Sequence, residues 1–215
     1  MHKELGEKLV TDRQTLRQSI RHARRQLSPA EQRHAAQQLV SQVAQRPHLA
    51  QAKTVALYLA NDGELDPVPL IHWYWAQGRQ VCLPVLHPFS PGQLLFLRYQ
   101  ANTAMHSNVL GIREPVLDIR LLVPKNALDI IYTPLVAFDA QGNRLGMGGG
   151  FYDRTLAHTA AGHGPAARSH ASSKPTQGPR AVGLAHDCQQ VAALPIASWD
   201  IPLAELITPT QHFSW

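Results

Sequence analysis

No apolar run in the chain approaches the roughly 20 residues that a membrane-spanning helix needs. Its opening stretch, Met1 to Thr11, is polar and lacks the apolar centre of a secretory signal. Cysteine is scarce. Cys82 and Cys188 lie far apart and neither belongs to a CxxC pair. That argues against a disulfide framework or a structural zinc site and makes a reducing cytoplasm the expected setting. The 12 histidines are scattered, and none forms HExxH or a CxxC…HxxxH set, so no zinc is assigned. The GK[ST] ending of the P-loop and the GxGxxG dinucleotide fingerprint are also missing.

What is present is a chain of 215 residues, 44% hydrophobic, with a net charge of +5. That is enough for one domain with a substantial core. A basic balance suits nucleic acid or a polyanionic small molecule, and the position of the charge separates the two. It concentrates in the first forty positions, at Arg13, Arg17, Arg21, Arg24, Arg25 and Arg33. No aromatics are interleaved there for base stacking, so nucleic acid is not the expected partner. No membrane partner is expected, and the chain is read as a monomer.

Hydrophobic periodicity organises the chain. Leu16, Ile20, Ala23 and Leu27 recur at helical spacing from about Asp12 to Leu27, with Arg13, Arg17, Arg21 and Arg24 in a neighbouring stripe. Ser28-Pro29-Ala30-Glu31 has the form of a capping box and opens a second helix running to about Gln45. Thr54 to Leu59, Gln80 to Leu83, Leu94 to Tyr99 (near an edge), Asp129 to Tyr132, Leu135 to Phe138, Ala181 to Leu184 and, last, Glu205 to Thr208 read as strands. A helix from Asp66-Pro67 to Gly78 and another from Phe151 alternate with them. Such alternation predicts an α/β sandwich with a largely parallel sheet. Ala161 to Arg180, rich in Gly, Pro, Ser and His, has almost nothing to bury and reads as a mobile insertion loop within the domain.

Four places carry chemistry. In Asn143-Arg144-Leu145-Gly146-Met147-Gly148-Gly149-Gly150-Phe151-Tyr152-Asp153-Arg154, glycine fills four of the five positions 146–150, between a strand and a helix. Glycines there admit a ligand close to the backbone, and the free N–H groups of the turn and helix start form an anion cradle. Arg144 and Arg154 add charge, and Asp153 is of the type that ligates Mg²⁺ beside phosphate oxygens. Arg13 and Arg17, one helical turn apart, can reach one phosphate group, although on local sequence alone a solvated helix face is narrowly favoured for them; for Arg21, Arg24 and Arg25 the solvated face is the preferred reading. Glu64, in Tyr58-Leu59-Ala60-Asn61-Asp62-Gly63-Glu64, follows the first strand, where open α/β sheets bind ligands; an exposed turn carboxylate is an equal alternative, and Asp66 reads as a helix cap. Asp200, in Trp199-Asp200-Ile201-Pro202, is either a second metal carboxylate or a turn cap, and the pattern favours the cap. Cys82 and Cys188 read as buried spacers.

In this order, the four features resemble the 5-formyltetrahydrofolate cyclo-ligase family. The glycine-rich signature stands here as Pro134, Phe138-Asp139, Gly142, Arg144-Leu145-Gly146, Gly148, Gly150 and Tyr152-Asp153-Arg154. The family's opening helix is matched by Arg13, Leu16-Arg17, Arg21, Arg24 and Leu27-Ser28. Its closing stretch is matched by Val182-Gly183-Leu184-Ala185, Gln189, Leu194-Pro195, Trp199-Asp200, Pro202-Leu203 and Thr208-Pro209. Arg13, Met147 and Phe151 depart from the commonest family residues. The resemblance implies a three-layer α/β sandwich similar to sugar-phosphate isomerases and CoA transferases. It also implies that ATP and a reduced formyl-folate bind as substrates with Mg²⁺, giving 5,10-methenyltetrahydrofolate, ADP and phosphate through a phosphorylated formyl intermediate. Under it, ATP is held by Arg13, Arg17, Arg144, Leu145, Gly146, Met147, Gly148, Gly149, Gly150, Phe151 and Tyr152. The folate meets Leu59, Glu64, Met147, Gly148, Gly149, Gly150 and Phe151, Mg²⁺ meets Asp153 and Asp200, and Arg144 and Asp153 carry catalysis.

Overall fold

The computed structural model of the chain describes residues 2–160, 178–197 and 200–215. All of the expected loop except 178–180 lies outside the described residues, and so does Trp199. Arg180, expected to end that loop, instead begins a strand.

The first helix, α1, runs His2–Arg25. It therefore starts ten residues before the expected boundary, and the polar stretch is helical from His2 onward. The capping box at Ser28 forms as expected: Glu31 accepts from the Ser28 N–H at 2.7 Å, and α2 runs Pro29–Ala44. A single turn, α3 (Pro47–Ala50), leads into β1 (Thr54–Ala56). Then follow α4 (Val68–Ala76), β2 (Gln80–Leu86), β3 (Leu94–Arg98), a hairpin of β4 (Met105–Ser107) and β5 (Arg113–Pro115), and β6 (Ile130–Pro134). A second hairpin joins β7 (Ala137–Phe138) to β8 (Arg144–Leu145); α5 (Phe151–Ala160), β9 (Arg180–Leu184), β10 (Glu205–Ile207) and β11 (His212–Ser214) complete the order.

The main sheet has the order β11-β10-β9-β6-β1-β2-β3. From β10 to β2 every pairing is parallel, and only the edge strands β11 and β3 run antiparallel. The parallel sheet and the edge position of β3 match expectation. Three differences stand out. Glu205–Ile207 is not the last strand, because β11 folds back onto it. Leu135 leaves the sheet, and only Ala137-Phe138 of that segment is strand, paired with β8. The β4–β5 hairpin was not anticipated.

The layers follow from burial. Leu39 and Val43 of α2, Leu49 of α3 and Leu70, Ile71 and Tyr74 of α4 pack on Val55, Val81, Ile130 and Tyr132 on one face of the sheet. On the other face Leu156 of α5 packs with Phe96, Val123, Leu128 and Ile131. Both faces are covered, which is why the central strands read as continuous apolar runs. From β1 the chain crosses to β2 on one side, while β6 lies on the other. This reversal opens a crevice at the carboxyl ends of β1 and β6, the usual ligand position in such sheets.

Candidate active site

A cavity of about 400 Å³ occupies that crevice, within the usual size range for small-molecule sites. Tyr58, Leu59, Asn61 and Glu64 enter from the end of β1, Leu83 and Leu86 from β2, and Pro134 and Leu135 from the end of β6. Arg144, Gly146, Met147, Gly149, Gly150, Phe151, Tyr152 and Asp153 close the opposite wall. Sequence reading had named both walls separately, and the fold makes them face one another.

The glycine cradle is built from below. Asp139, buried at the turn after β7, accepts from the N–H groups of Gln141 (3.0 Å), Asn143 (3.1 Å) and Leu194 (3.1 Å) and from Asn143 Nδ2 (2.9 Å). That carboxylate fixes the reversal from β7 into β8. Leu145 of β8 is buried against Ile20, Val136 and Ala137. Gly148 and Gly150 take φ of 99° and 65°, values that an L side chain resists. Gly148 and Gly149 are exposed, so their backbone is open to a ligand. The loop then enters the N-terminus of α5, whose unpaired N–H groups favour an anion.

Arginines surround this loop. Arg17 Nε donates to the Gly146 carbonyl at 2.8 Å, and its guanidinium lies beside Gly148. Burial and the neighbouring charge of Arg13 lower its pKa, against the opposing charge of Asp200. Arg144 is buried, 6% exposed, and donates through Nε to the Ile201 carbonyl (3.1 Å) and through Nη2 to Asp153 Oδ1 (2.5 Å). Burial lowers its pKa, and Asp153 opposes that shift. Arg154 is not a free charge at the loop's end. It donates to the carbonyls of Gly92 (2.9 Å) and Gly149, pinning the cradle to the β2–β3 turn.

Arg13 and Asp200 are brought together, but with each other. Arg13 Nη1 and Nη2 grip Asp200 Oδ2 and Oδ1 at 2.5 and 2.9 Å, and Nη1 also donates to the Pro195 carbonyl at 2.8 Å. Burial opposes the charge of Asp200, but the bonds from Arg13 and from the Ala197 N–H outweigh it and hold its pKa below the usual range. Both Asp200 oxygens are thus engaged. Asp153 lines the cavity with one oxygen on Arg144 and its side chain 29% exposed. Among the described residues no group of three or more His, Cys, Asp or Glu is placed to hold a metal. Mg²⁺ does not require such a cage, since it commonly keeps waters and substrate phosphates with one or two carboxylates. Asp153 fits that donor set. Asp200, occupied by Arg13, fits it less well.

Glu64 is half-buried and accepts from the Asn61 N–H at 3.0 Å. Burial raises its pKa to about 7, against the pull of the Asn61 N–H and of Arg24. The exposed-turn alternative is therefore set aside. The solvated-face reading fails for Arg24, which is 0% exposed; Arg25 does lie on an exposed face and Arg21 is partly exposed, yet all three grip Asp62. Their charge is spent on a partly buried carboxylate across the chain, which helical spacing cannot reveal. Asp66 does act at the start of α4, accepting from the Val68 N–H at 3.0 Å. Cys82 is buried, with its thiol raised to about 12 by burial, whereas Cys188 is exposed.

The cavity has a third wall that sequence reading missed. The β4–β5 hairpin brings Asn108, Leu110, Ile112, Arg113 and Glu114 to it. Glu114, 6% exposed, accepts from the Leu86 N–H (3.1 Å) and Asn108 Nδ2 (2.8 Å), locking the hairpin onto β2. Asn108 and Gly111 are the local turn residues there: Asn108 Oδ1 accepts from the N–H groups of Leu110 (2.9 Å) and Ile112 (3.1 Å), and Gly111 takes φ 74°.

A doubly covered, mostly parallel sheet with an apolar, carboxylate-bearing crevice at the carboxyl ends of its central strands, bordered by a glycine loop and Arg144, is the architecture of an α/β enzyme. A model of the 5-formyltetrahydrofolate cyclo-ligase family matches residues 10–209, and the chain belongs to that family of ligases. It is 47% identical over 196 residues to a 5-formyltetrahydrofolate cyclo-ligase of Escherichia coli (strain K12), covering 91% of this chain and 100% of that one. With the Haemophilus influenzae protein of the same name, identity is 45% over 195 residues, 91% and 96% of the two chains. Among solved structures, the Aquifex aeolicus 5,10-methenyltetrahydrofolate synthetase superposes with a TM-score of 0.74 at 29% identity, covering 94% and 92%.

Proposed function

We propose that this enzyme closes 5-formyltetrahydrofolate to 5,10-methenyltetrahydrofolate with ATP and Mg²⁺. The observation that carries the reading is one cavity with an anion cradle on one wall and Glu64, with Leu59, on the other. ATP lies along the cradle formed by Leu145, Gly146, Met147, Gly148, Gly149 and Gly150, with Phe151 and Tyr152 at the helix start and Arg17 and Arg144 on its phosphates. Arg13 supports that end through Asp200. The formyl-folate lies against Leu59, Met147 and Phe151 with Glu64 on its polar edge.

Phosphoryl transfer asks for alignment and charge neutralisation rather than a side-chain nucleophile. The formyl oxygen on N5 attacks the γ-phosphorus, and ADP leaves. N10 then attacks the activated formyl carbon and loses its proton. The former formyl oxygen departs within inorganic phosphate, leaving the methenyl bridge. Arg144 and Arg17 stabilise the equatorial phosphoryl oxygens, and Asp153 holds Arg144 in place and would be the carboxylate that holds Mg²⁺. Mg²⁺ supplies charge neutralisation of the phosphates when bound.

The test is the rise of the methenyl-folate absorbance in purified protein with 5-formyltetrahydrofolate, ATP and Mg²⁺. The rise is expected to vanish when either ATP or Mg²⁺ is omitted. Arg144→Lys, which keeps charge and loses the planar fork, is expected to raise the KM for ATP about ten-fold, the worth of one charge-assisted hydrogen bond. Turnover without ATP, or an unaltered KM in that variant, would reject the assignment of the cradle.

A further inference from the structure

Asp62 is the only non-glycine among the described residues with a positive φ, 53°. It stands in the turn after β1, between Asn61 and Gly63, two residues before Glu64. A left-handed conformation is uncommon at a residue with a side chain, Asp and Asn being the ones that adopt it most readily, and it is held where surrounding contacts fix it. Here those contacts are visible. Arg21 Nε donates to Asp62 Oδ2 at 2.6 Å and Arg24 Nη2 to the same oxygen at 2.9 Å. Arg24 Nε donates to the Asp62 carbonyl at 2.7 Å, and Arg25 grips Oδ1 from outside. Burial works against the charge of Asp62, but these bonds outweigh it and hold its pKa below the ordinary range.

Arg24 is the unusual partner. A fully buried guanidinium is a weak device for stability alone, since its desolvation offsets much of the attraction. Its remaining contacts explain its place. Nη1 reaches the Leu135 carbonyl at 3.4 Å, and Nη2 lies 4.0 Å from the Met147 sulfur. Gly63 packs against the Arg24 backbone, and Gln32 Nε2 bridges the Arg24 and Gly63 carbonyls at 3.3 and 3.5 Å. One guanidinium therefore touches the Glu64 turn, the end of β6 and the glycine loop. These three segments line the cavity, although Arg24 and Asp62 do not line it themselves.

We infer that Arg24 and Asp62 form a positioning pair that fixes the 61–64 turn and so presents Glu64 to the folate. This rests on the function proposed above. The pair acts through Glu64 and touches neither substrate. Its loss acts first on folate recognition, because Arg17 and Arg144 are held by other partners and Arg24 meets the cradle only at the Met147 sulfur, 4.0 Å away.

The decisive variant is the double substitution Arg24→Met with Asp62→Asn. It removes both charges together, so no buried guanidinium is left without its carboxylate, and Asn tolerates the left-handed backbone. The KM for 5-formyltetrahydrofolate, the KM for ATP, kcat and the melting temperature are measured on it and on the wild type. The expected result is a folded protein whose folate KM rises about ten-fold, as for one misplaced charge-assisted hydrogen bond, with a clearly smaller change in the KM for ATP. A folded double variant with an unaltered folate KM overturns the inference. So does a parallel rise of both KM values, which marks a merely structural pair. If the double variant does not fold, Arg24→Lys decides the same question, because it keeps the charge but cannot span the Asp62 carboxylate and carbonyl together. Absence of turnover in the wild type would remove the proposed function and this inference with it; turnover with an unmoved folate KM removes the inference alone.

Discussion

At the scale of single residues, Glu64 is the group whose charge state the cavity controls. Burial holds its pKa near 7 rather than near 4.5. The folded state therefore prefers the protonated form, and Glu64 costs stability progressively as pH rises from about 4.5 to about 7, with no further change above. Under the proposed function binding runs the other way, because the ionised carboxylate is the better acceptor for N–H groups of a pterin. Folate affinity is expected to rise as pH increases through about 7 in the wild type. Glu64→Gln should bind more weakly and show no such rise, while melting at a higher temperature than the wild type at pH 8. Calorimetric titration between pH 6 and 8 checks this, and an equal pH profile in the variant would take Glu64 out of the folate site. Sequence alone placed Glu64 at the right strand end but left an exposed turn equally open, since its burial comes from residues far along the chain. Arg24 shows the same limit more sharply. Its spacing is that of a solvated stripe, and only the distant Asp62 turn makes it a buried residue.

At the scale of elements, patterns that repeat locally were legible and partnerships across the sheet were not. The Ser28 capping box, the edge strand β3 and the strand–glycine loop–helix order could be read because each is written in a few consecutive residues. The β4–β5 hairpin could not, because each of its strands spans three residues and alternation needs more. It is defined by Glu114 reaching β2. The strand β11 was missed for a similar reason: it is three residues long and folds back on β10. That closing pair carries a buried carboxylate away from the cavity. Glu205 Oε1 accepts from His48 Nε2 and His212 Nε2, each at 2.8 Å, and Oε2 from Arg180 Nη1 at 3.0 Å. Glu205 thereby joins α3, β9, β10 and β11. Burial opposes its charge, yet the bonds from His212 and His48 prevail and lower its pKa. The stability it contributes is present above the ordinary carboxylate pKa and is lost as pH falls through the lowered folded value. Glu205→Gln is expected to lower unfolding free energy by about 2 kcal/mol, the scale of lost hydrogen bonds to a charged group. Its cost should shrink in strong acid. Chemical denaturation at pH 7 measures it, with no change expected in the KM for ATP.

At the scale of the whole molecule, α1 is the element that joins the two halves of the site. Along its length Arg13 grips Asp200, Arg17 the Gly146 carbonyl, and Arg21 and Arg24 the Asp62 turn. The same face buries Ile20 against Val136, Ala137 and Leu145 beneath the cradle. A helix is stiff along its axis, so ordering either end restricts the other. A ligand that settles the cradle therefore settles part of the Glu64 turn before the second ligand arrives, and the second binds to an already ordered wall. The expected coupling is about 1 kcal/mol, or roughly five-fold in affinity, and thermodynamic linkage requires it to be equal in both directions. The measurement is a calorimetric cycle: 5-formyltetrahydrofolate titrated with and without a non-hydrolysable ATP analogue and Mg²⁺, and the analogue titrated with and without the folate. Amide exchange in α1 should slow with either ligand alone. Affinities that are the same in both arms of the cycle would mean that the two walls order independently, and that α1 supports each without carrying any coupling between them.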